Sequence, residues 1–160
     1  MSQRKLLIFD FDGVIVDGMP EYWWSARQSV IQLLDKPLAA KELPKKIPTA
    51  FQTLRPWVHK GWEMVLIAAE LLRPDSTLYQ KGALAFARNY SSNCKEALEK
   101  WGWNAEQLQV TLDQVRSNAL QDHRNSWLKL HHPFPAVLER LKRLHEEEID
   151  FSVLTTKGAN

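Results

Sequence analysis

The sequence predicts an α/β fold, a doubly wound parallel sheet interrupted after its first strand by a large all-helical insertion. Three observations predict it. An unbroken apolar run near the start, Leu6-Leu7-Ile8-Phe9, leads straight into Asp10. A second apolar segment, residues 149–154, lies near the end. Between them nothing in residues 19–130 alternates as a strand, while apolar residues recur at helical spacing. A short amphipathic helix before the second segment completes the order strand, helical insert, helix, strand, which is half of a doubly wound sheet.

A short apolar run without polar alternation reads as a strand covered on both faces. Residues just past the carboxyl end of such a strand lie where open α/β sheets bind ligands. Asp10 ends the strand and Asp12 lies in the turn beyond it. Side chains two apart on extended backbone point the same way, so both carboxylates can face one small site. Gly13 allows a tight turn without a Cβ clash. Two carboxylates so placed suit phosphoryl transfer. One can attack phosphorus and form an aspartyl-phosphate. The other can protonate the leaving oxygen and then take a proton from water. Two anions facing an anionic substrate call for a divalent cation such as Mg²⁺. The plain alternative is that Asp10 and Asp12 end a strand and cap a turn, for which the same residues serve. Two carboxylates converging at a buried strand end favour the functional reading.

The 160 residues suit one ordinary domain, or a domain with an insertion. Hydrophobic content of 44% and charged content of 25% are those of a soluble globular chain. The net charge of +2, with lysines and arginines scattered, argues against a nucleic-acid partner. The single Cys94 cannot close an intrachain disulfide and reads as a plain thiol in a reducing compartment. Arg4-Lys5 before an apolar run imitates a secretory signal, but Asp10 and Asp12 interrupt the run too early. The longest apolar stretch, residues 62–72, is about half the length that spans a bilayer and contains Glu63 and Glu70. A cytoplasmic protein with no membrane partner is expected, and nothing in the sequence sets an oligomeric state.

Past Asp17, Gly18-Met19-Pro20 makes a turn that leads into a helix to about Leu34, with Trp23, Ala26, Val30 and Leu33 on one face. Pro37, Pro44 and Pro48, with Lys41, Lys45 and Lys46 between, mark a loop. Helical character resumes at Thr49, continues through Trp62, and enters an apolar run from Met64 to Leu72 that predicts a buried central helix. Pro74 breaks it. Residues 78–101 read as one or two helices broken near residues 89–93 and stopped by Gly102. Asn104 with Gln107 three on resembles a capping box, opening a long helix to about Leu130 with Leu108, Leu112, Val115 and Ala119 on its inner face. His131-His132-Pro133-Phe134-Pro135 is a hinge-like break, and the tandem histidines read as loop. Val137, Leu138, Leu141 and Leu144 then give the short helix before the second strand. Of the seven tryptophans, Trp23, Trp24, Trp57, Trp62 and Trp127 fall on expected helices, where core packing is the reading preferred over sugar stacking or nucleic-acid contact.

Phe9-Asp10-Phe11-Asp12-Gly13-Val14-Ile15-Val16-Asp17 resembles the first motif of the haloacid dehalogenase superfamily of hydrolases, an apolar strand ending in Asp-x-Asp-Gly with another Asp following. Val153-Leu154-Thr155-Thr156-Lys157 resembles its second motif, an apolar strand ending in Thr or Ser, and Pro135-Ala136-Val137 opens the preceding helix as is typical there. The resemblance implies a Rossmann-like, haloacid-dehalogenase-like core over residues 1–17 and 133–160, partial here, with a helical cap over residues 18–132. It implies that Asp10 is the nucleophile and a Mg²⁺ ligand. Asp12 would be the acid/base, its backbone carbonyl also reaching the metal, and points to the phosphatase and phosphomutase branches. Thr155, by the same likeness, would hydrogen-bond a transferring phosphoryl oxygen, helped by the Thr156 amide; the plain reading of Thr155 is a β-branched strand end. Lys157 reads as a solvated charge, because the family's catalytic lysine comes later.

In the family such a cap closes over the site, excludes water and selects the substrate. Arg55 and Lys60 are the candidates for meeting a substrate's anionic tail, with ordinary surface charge as the plain reading. The third motif, a lysine or arginine on a later helix, and the fourth, acidic metal ligands after a further strand, have no place before Asn160. A sheet of about two strands is also too small to bury its apolar faces. The sequence is therefore expected to be the amino-terminal part of a longer protein and inactive alone. The expected function is a Mg²⁺-dependent phosphatase acting on small phosphorylated metabolites. The alternative is a non-catalytic interaction module derived from the same fold, using the Trp-rich helical insert as its surface.

Overall fold

The chain leaves strand β1 (Leu7–Asp10), turns through residues 11–15 and enters the two-residue strand β2 (Val16–Asp17). The turn is tied to itself. The Gly13 N–H donates to the Val16 carbonyl at 2.7 Å, and the Ile15 and Val16 N–H groups both donate to the Phe11 carbonyl at 2.9 and 3.1 Å. Gly13 has φ 80°, the left-handed conformation that the tight turn needs and that a Cβ would disfavour. This computed structural model describes residues 6–34 and 41–155. Thr156, Lys157 and Pro37 lie outside the described residues.

Helix α1 (Met19–Leu34) starts where the Asp17 carboxylate accepts the Met19 N–H at 2.9 Å, with Pro20 in the first turn. Its inner face buries Tyr22, Trp23, Ala26 and Val30. Helix α2 (Thr49–Leu54) is followed by a 3₁₀ turn over Arg55–Trp57 and an extended linker to α3 (Gly61–Glu70). The continuous helix expected through residues 49–62 is thus broken. Pro56 sits in that turn, where its missing N–H and ring end the α-helical ladder. The Glu63 carboxylate then folds back to accept the His59 and Lys60 N–H groups at 2.7 and 3.3 Å, starting α3 afresh. Every residue from Glu63 to Glu70 is buried, as the all-round apolar pattern predicts.

The segment after Pro74 forms α4 (Thr77–Lys81), α5 (Ala83–Arg88) and α6 (Tyr90–Trp101), with breaks at Gly82 and Asn89; residues 91–93 lie inside α6. Gly102 closes α6 at φ 66°, and the Asn104 side chain accepts the Gln107 N–H at 2.8 Å to open α7 (Ala105–Asp122). The long helix expected to reach Leu130 ends at Asp122. His123 leaves helical geometry, and the short α8 (Arg124–Leu128) follows. Helix α3 packs between α1 and α7. The hydrophobic cluster around it, from Tyr22 to Leu112, lies wholly within the helical stretch. Burial there removes apolar side chains worth ~1.5–3 kcal/mol each from water. The buried Glu70 carboxylate is matched by Arg73 Nε and Nη2 at 2.8 and 2.7 Å and by Trp101 Nε1 at 2.8 Å.

The chain returns through β3 (His132–Pro133), which pairs antiparallel with β2 in the register Val16↔Pro133 and Asp17↔His132. The stretch expected to be a loop therefore closes a small ribbon at the base of the helical unit. Helix α9 (Pro135–Glu146), with Pro in its first turn, leads to β4 (Phe151–Leu154). β4 lies parallel to β1, with Leu7 opposite Phe151 and Asp10 opposite Leu154. The fold is mostly helical with one parallel pair of strands. The reading of β1 as covered on both faces is not met: Ile8 is 64% and Leu154 68% exposed. The physical reason is that, among the described residues, β4 is the strand beside β1 and no helix closes over Ile8 or Leu154.

Candidate functional site

The parallel register places Asp10 and Thr155 at the same carboxyl end of adjacent strands, since Asp10 faces Leu154 and Thr155 is the next residue. Asp10 is exposed, and its Oδ1 accepts the N–H of Phe11 at 2.8 Å. Its second oxygen has no hydrogen-bond partner among the described residues. Asp12, in the self-tied turn, is half-buried and bridges to Val16.

Asp12 meets the helical unit directly. The Tyr22 hydroxyl on α1 is hydrogen-bonded with the Asp12 carboxylate and with Arg55. The chemistry gives one direction: the guanidinium N–H donates to the phenol oxygen, and the phenol O–H donates to the carboxylate. The Arg55 guanidinium also lies 5.0 Å from the centre of the Tyr22 ring, in cation–π contact. Gly18 lies beneath this junction. A Cβ at that position would stand 2.7 Å from Asp12 Oδ1 and 3.1 Å from the Tyr22 hydroxyl, so the approach depends on a glycine there. Burial first, and then the negative charge of Asp12, push the Tyr22 phenol up to about 12, with Arg55 opposing. Tyr22 therefore stays a protonated donor at neutral pH.

The two cap candidates fall at the same place. A cleft of about 230 Å³ is lined by Asp12, Tyr22, Arg55, His59, Lys60 and Arg116, with Gln109 and Asp113 of α7 on its far wall. It joins the core turn, α1, the 3₁₀ turn, the linker before α3, and α7. Glu63 holds the linker in place through the two backbone bonds described above and also accepts the Tyr90 hydroxyl at 3.1 Å. Arg116 is committed to the buried Glu21 carboxylate through Nε and Nη2 at 2.8 and 3.0 Å. Gln109 accepts the Trp62 N–H and donates to Asp113.

Asp10, Asp12 and Thr155 thus share a strand-end neighbourhood, and Asp12, Arg55 and Lys60 share a cleft; Thr156 is not described. The sequence reading missed Tyr22, His59, Arg116 and Gly18. Gly18 and Tyr22 had a faint signal in following the Asp-rich turn closely, whereas the Arg116–Glu21 contact joins residues 95 apart in the chain. Among the described residues no group of three or more His, Cys, Asp or Glu could hold a metal ion. The strand end offers oxygen donors, the Asp10 carboxylate and the Asp12 backbone carbonyl. A small set of hard oxygens fits Mg²⁺, which keeps several of its own waters. Cys94 is buried and its thiol is pushed up to about 12, chiefly by burial, which leaves it unreactive.

No family model, curated protein or solved structure matches the chain. Among the described residues no helix is long and apolar enough to cross a membrane.

Proposed function

We propose that the chain carries the nucleophile of a Mg²⁺-dependent phosphohydrolase of the haloacid dehalogenase type, cleaving small phosphate monoesters in the cytoplasm. The observation that carries the reading is the meeting of Asp10 and Thr155 at one end of a parallel strand pair, with Asp12 in the turn between them and the cleft. Asp10 attacks phosphorus as the ester P–O bond breaks, and Asp12 gives its proton to the leaving oxygen. Water then attacks the aspartyl-phosphate, Asp12 takes its proton, and phosphate departs with Asp10 restored. The Thr155 hydroxyl donates to a phosphoryl oxygen. The Asp10 carboxylate and the Asp12 backbone carbonyl would hold Mg²⁺, which would supply the positive charge that offsets repulsion between carboxylate and phosphate. Arg55 and Lys60 receive the rest of the substrate.

Phosphate release by the protein isolated from its natural source, with and without added Mg²⁺, tests this. Asp10→Asn is expected to abolish turnover while leaving the far-UV circular dichroism unchanged; full activity in that variant sinks the reading. The alternative, a non-catalytic module presenting tryptophans, has less support, because of the seven only Trp57 is exposed, and that only to 37%.

A further inference from the structure

Resting on that reading, we infer that the substrate is a short phosphate monoester carrying a second anionic group, and that Arg55 and Lys60 select it in the cleft beyond Asp12. Arg116 is neutralised by Glu21, while Asp113 on the far wall keeps its negative charge and accepts a hydrogen bond from Gln109. Arg55 and Lys60 line the same cleft, and neither forms an ion pair with a described residue. Arg55 meets the neutral Tyr22 through its ring and its hydroxyl. Asp12 and Asp113 share the cleft but neither pairs with these two cations, which leaves Arg55 and Lys60 to receive an anion of the ligand. At the start of α3 the Trp62 N–H is taken by Gln109, and the His59 and Lys60 N–H groups by Glu63.

The geometry sets polarity and size. Asp12 is common to the strand end and the cleft, while Asp10 does not line the cleft. A phosphoryl group over Asp10 therefore directs the remainder of its ester past Asp12 toward Arg55 and Lys60. The cleft, at about 230 Å³, holds roughly eight water-sized groups and lies below the ~300–1,000 Å³ of sites that take drug-sized ligands. A two- or three-carbon acid fits this space.

The test pairs phosphoglycolate with ethyl phosphate, which differ by the carboxylate, on the protein isolated from its natural source. A charge-assisted contact to each cation predicts kcat/KM at least about ten-fold higher for phosphoglycolate. Arg55→Ala and Lys60→Gln are each expected to shrink that ratio, mainly through KM; Lys60 is exposed, so its replacement leaves the packing intact. Release from both esters at equal kcat/KM overturns the inference and leaves the phosphatase reading standing. Release from neither sinks the phosphatase reading, and calorimetric titration of the 160-residue chain with malonate then decides the cleft. Malonate binding that is lost in Lys60→Gln supports it, and no binding, or binding unchanged in that variant, overturns it.

Discussion

Tyr22 ties the chemistry of the strand end to the helical unit, and its titration makes that tie measurable. The unfolded chain ionises a tyrosine near 10, whereas the folded protein holds Tyr22 protonated to about 12 because of burial and Asp12. Between those values the unfolded state has released a proton that the folded state retains. The stability this group contributes is thus complete below pH 10 and is lost as pH rises through about 12. Urea midpoints measured across that window are expected to fall, and Tyr22→Phe is expected to flatten the fall without abolishing it. Tyr90 remains in the variant, its phenol also raised by burial and by the neighbouring Cys94 and Glu63. An unchanged slope in Tyr22→Phe would show that the hydroxyl is not held as described. The Asp-x-Asp-Gly turn was legible in the sequence because its residues are neighbours and its chemistry is local. Tyr22 was not, because one tyrosine on an amphipathic helix carries no mark of the carboxylate it meets.

The helices were legible where apolar spacing and caps agreed. Asn104 before α7 and Gly102 after α6 are such positions, each fixed by its own side chain or lack of one. The break between α2 and α3 was not foreseen, since apolar residues continue through it. What ends the helix is Pro56, and what starts the next is a buried carboxylate reaching back over three residues. The pairing of α1 with α7 is a further case of order invisible to local pattern. Glu21 is fully buried, and Arg116, with Ser25 at 2.6 Å, provides its compensation. Arg116→Ala takes the paired guanidinium and its two hydrogen bonds from the buried Glu21 charge and is expected to cost about 3 kcal/mol in denaturant unfolding. Adding Glu21→Gln to that variant is expected to return part of the loss. If the single variant unfolds at the wild-type midpoint, the pair contributes nothing to holding α1 on α7.

At the scale of the whole molecule the apolar core belongs to the helical unit and not to the sheet. Its cluster falls between Tyr22 and Leu112, whereas Ile8, Val153 and Leu154 of the strands stay exposed. A fragment of residues 18–132 is accordingly expected to be helical and to melt cooperatively by circular dichroism, near the temperature of the full chain. A gradual, non-cooperative loss of signal would mean that the core needs the strands. The sequence order was enough to place a helical insertion between two parallel strands. It also implied that two strands leave apolar faces bare, as Ile8 and Leu154 are. The reading of β1 as covered on both faces failed because coverage depends on what lies beside a strand in space. The β1·β4 pairing joins the two ends of the chain, and through an unfolded intervening segment such a closure would be entropically steep and slow. The β2·β3 ribbon changes that cost. Once the helical unit has formed and its ribbon has zipped, only the short turn on one side and α9 on the other separate the partner strands. The expected order of assembly follows: the strand end bearing Asp10 and Thr155 is expected to come together last on folding and to open first on unfolding.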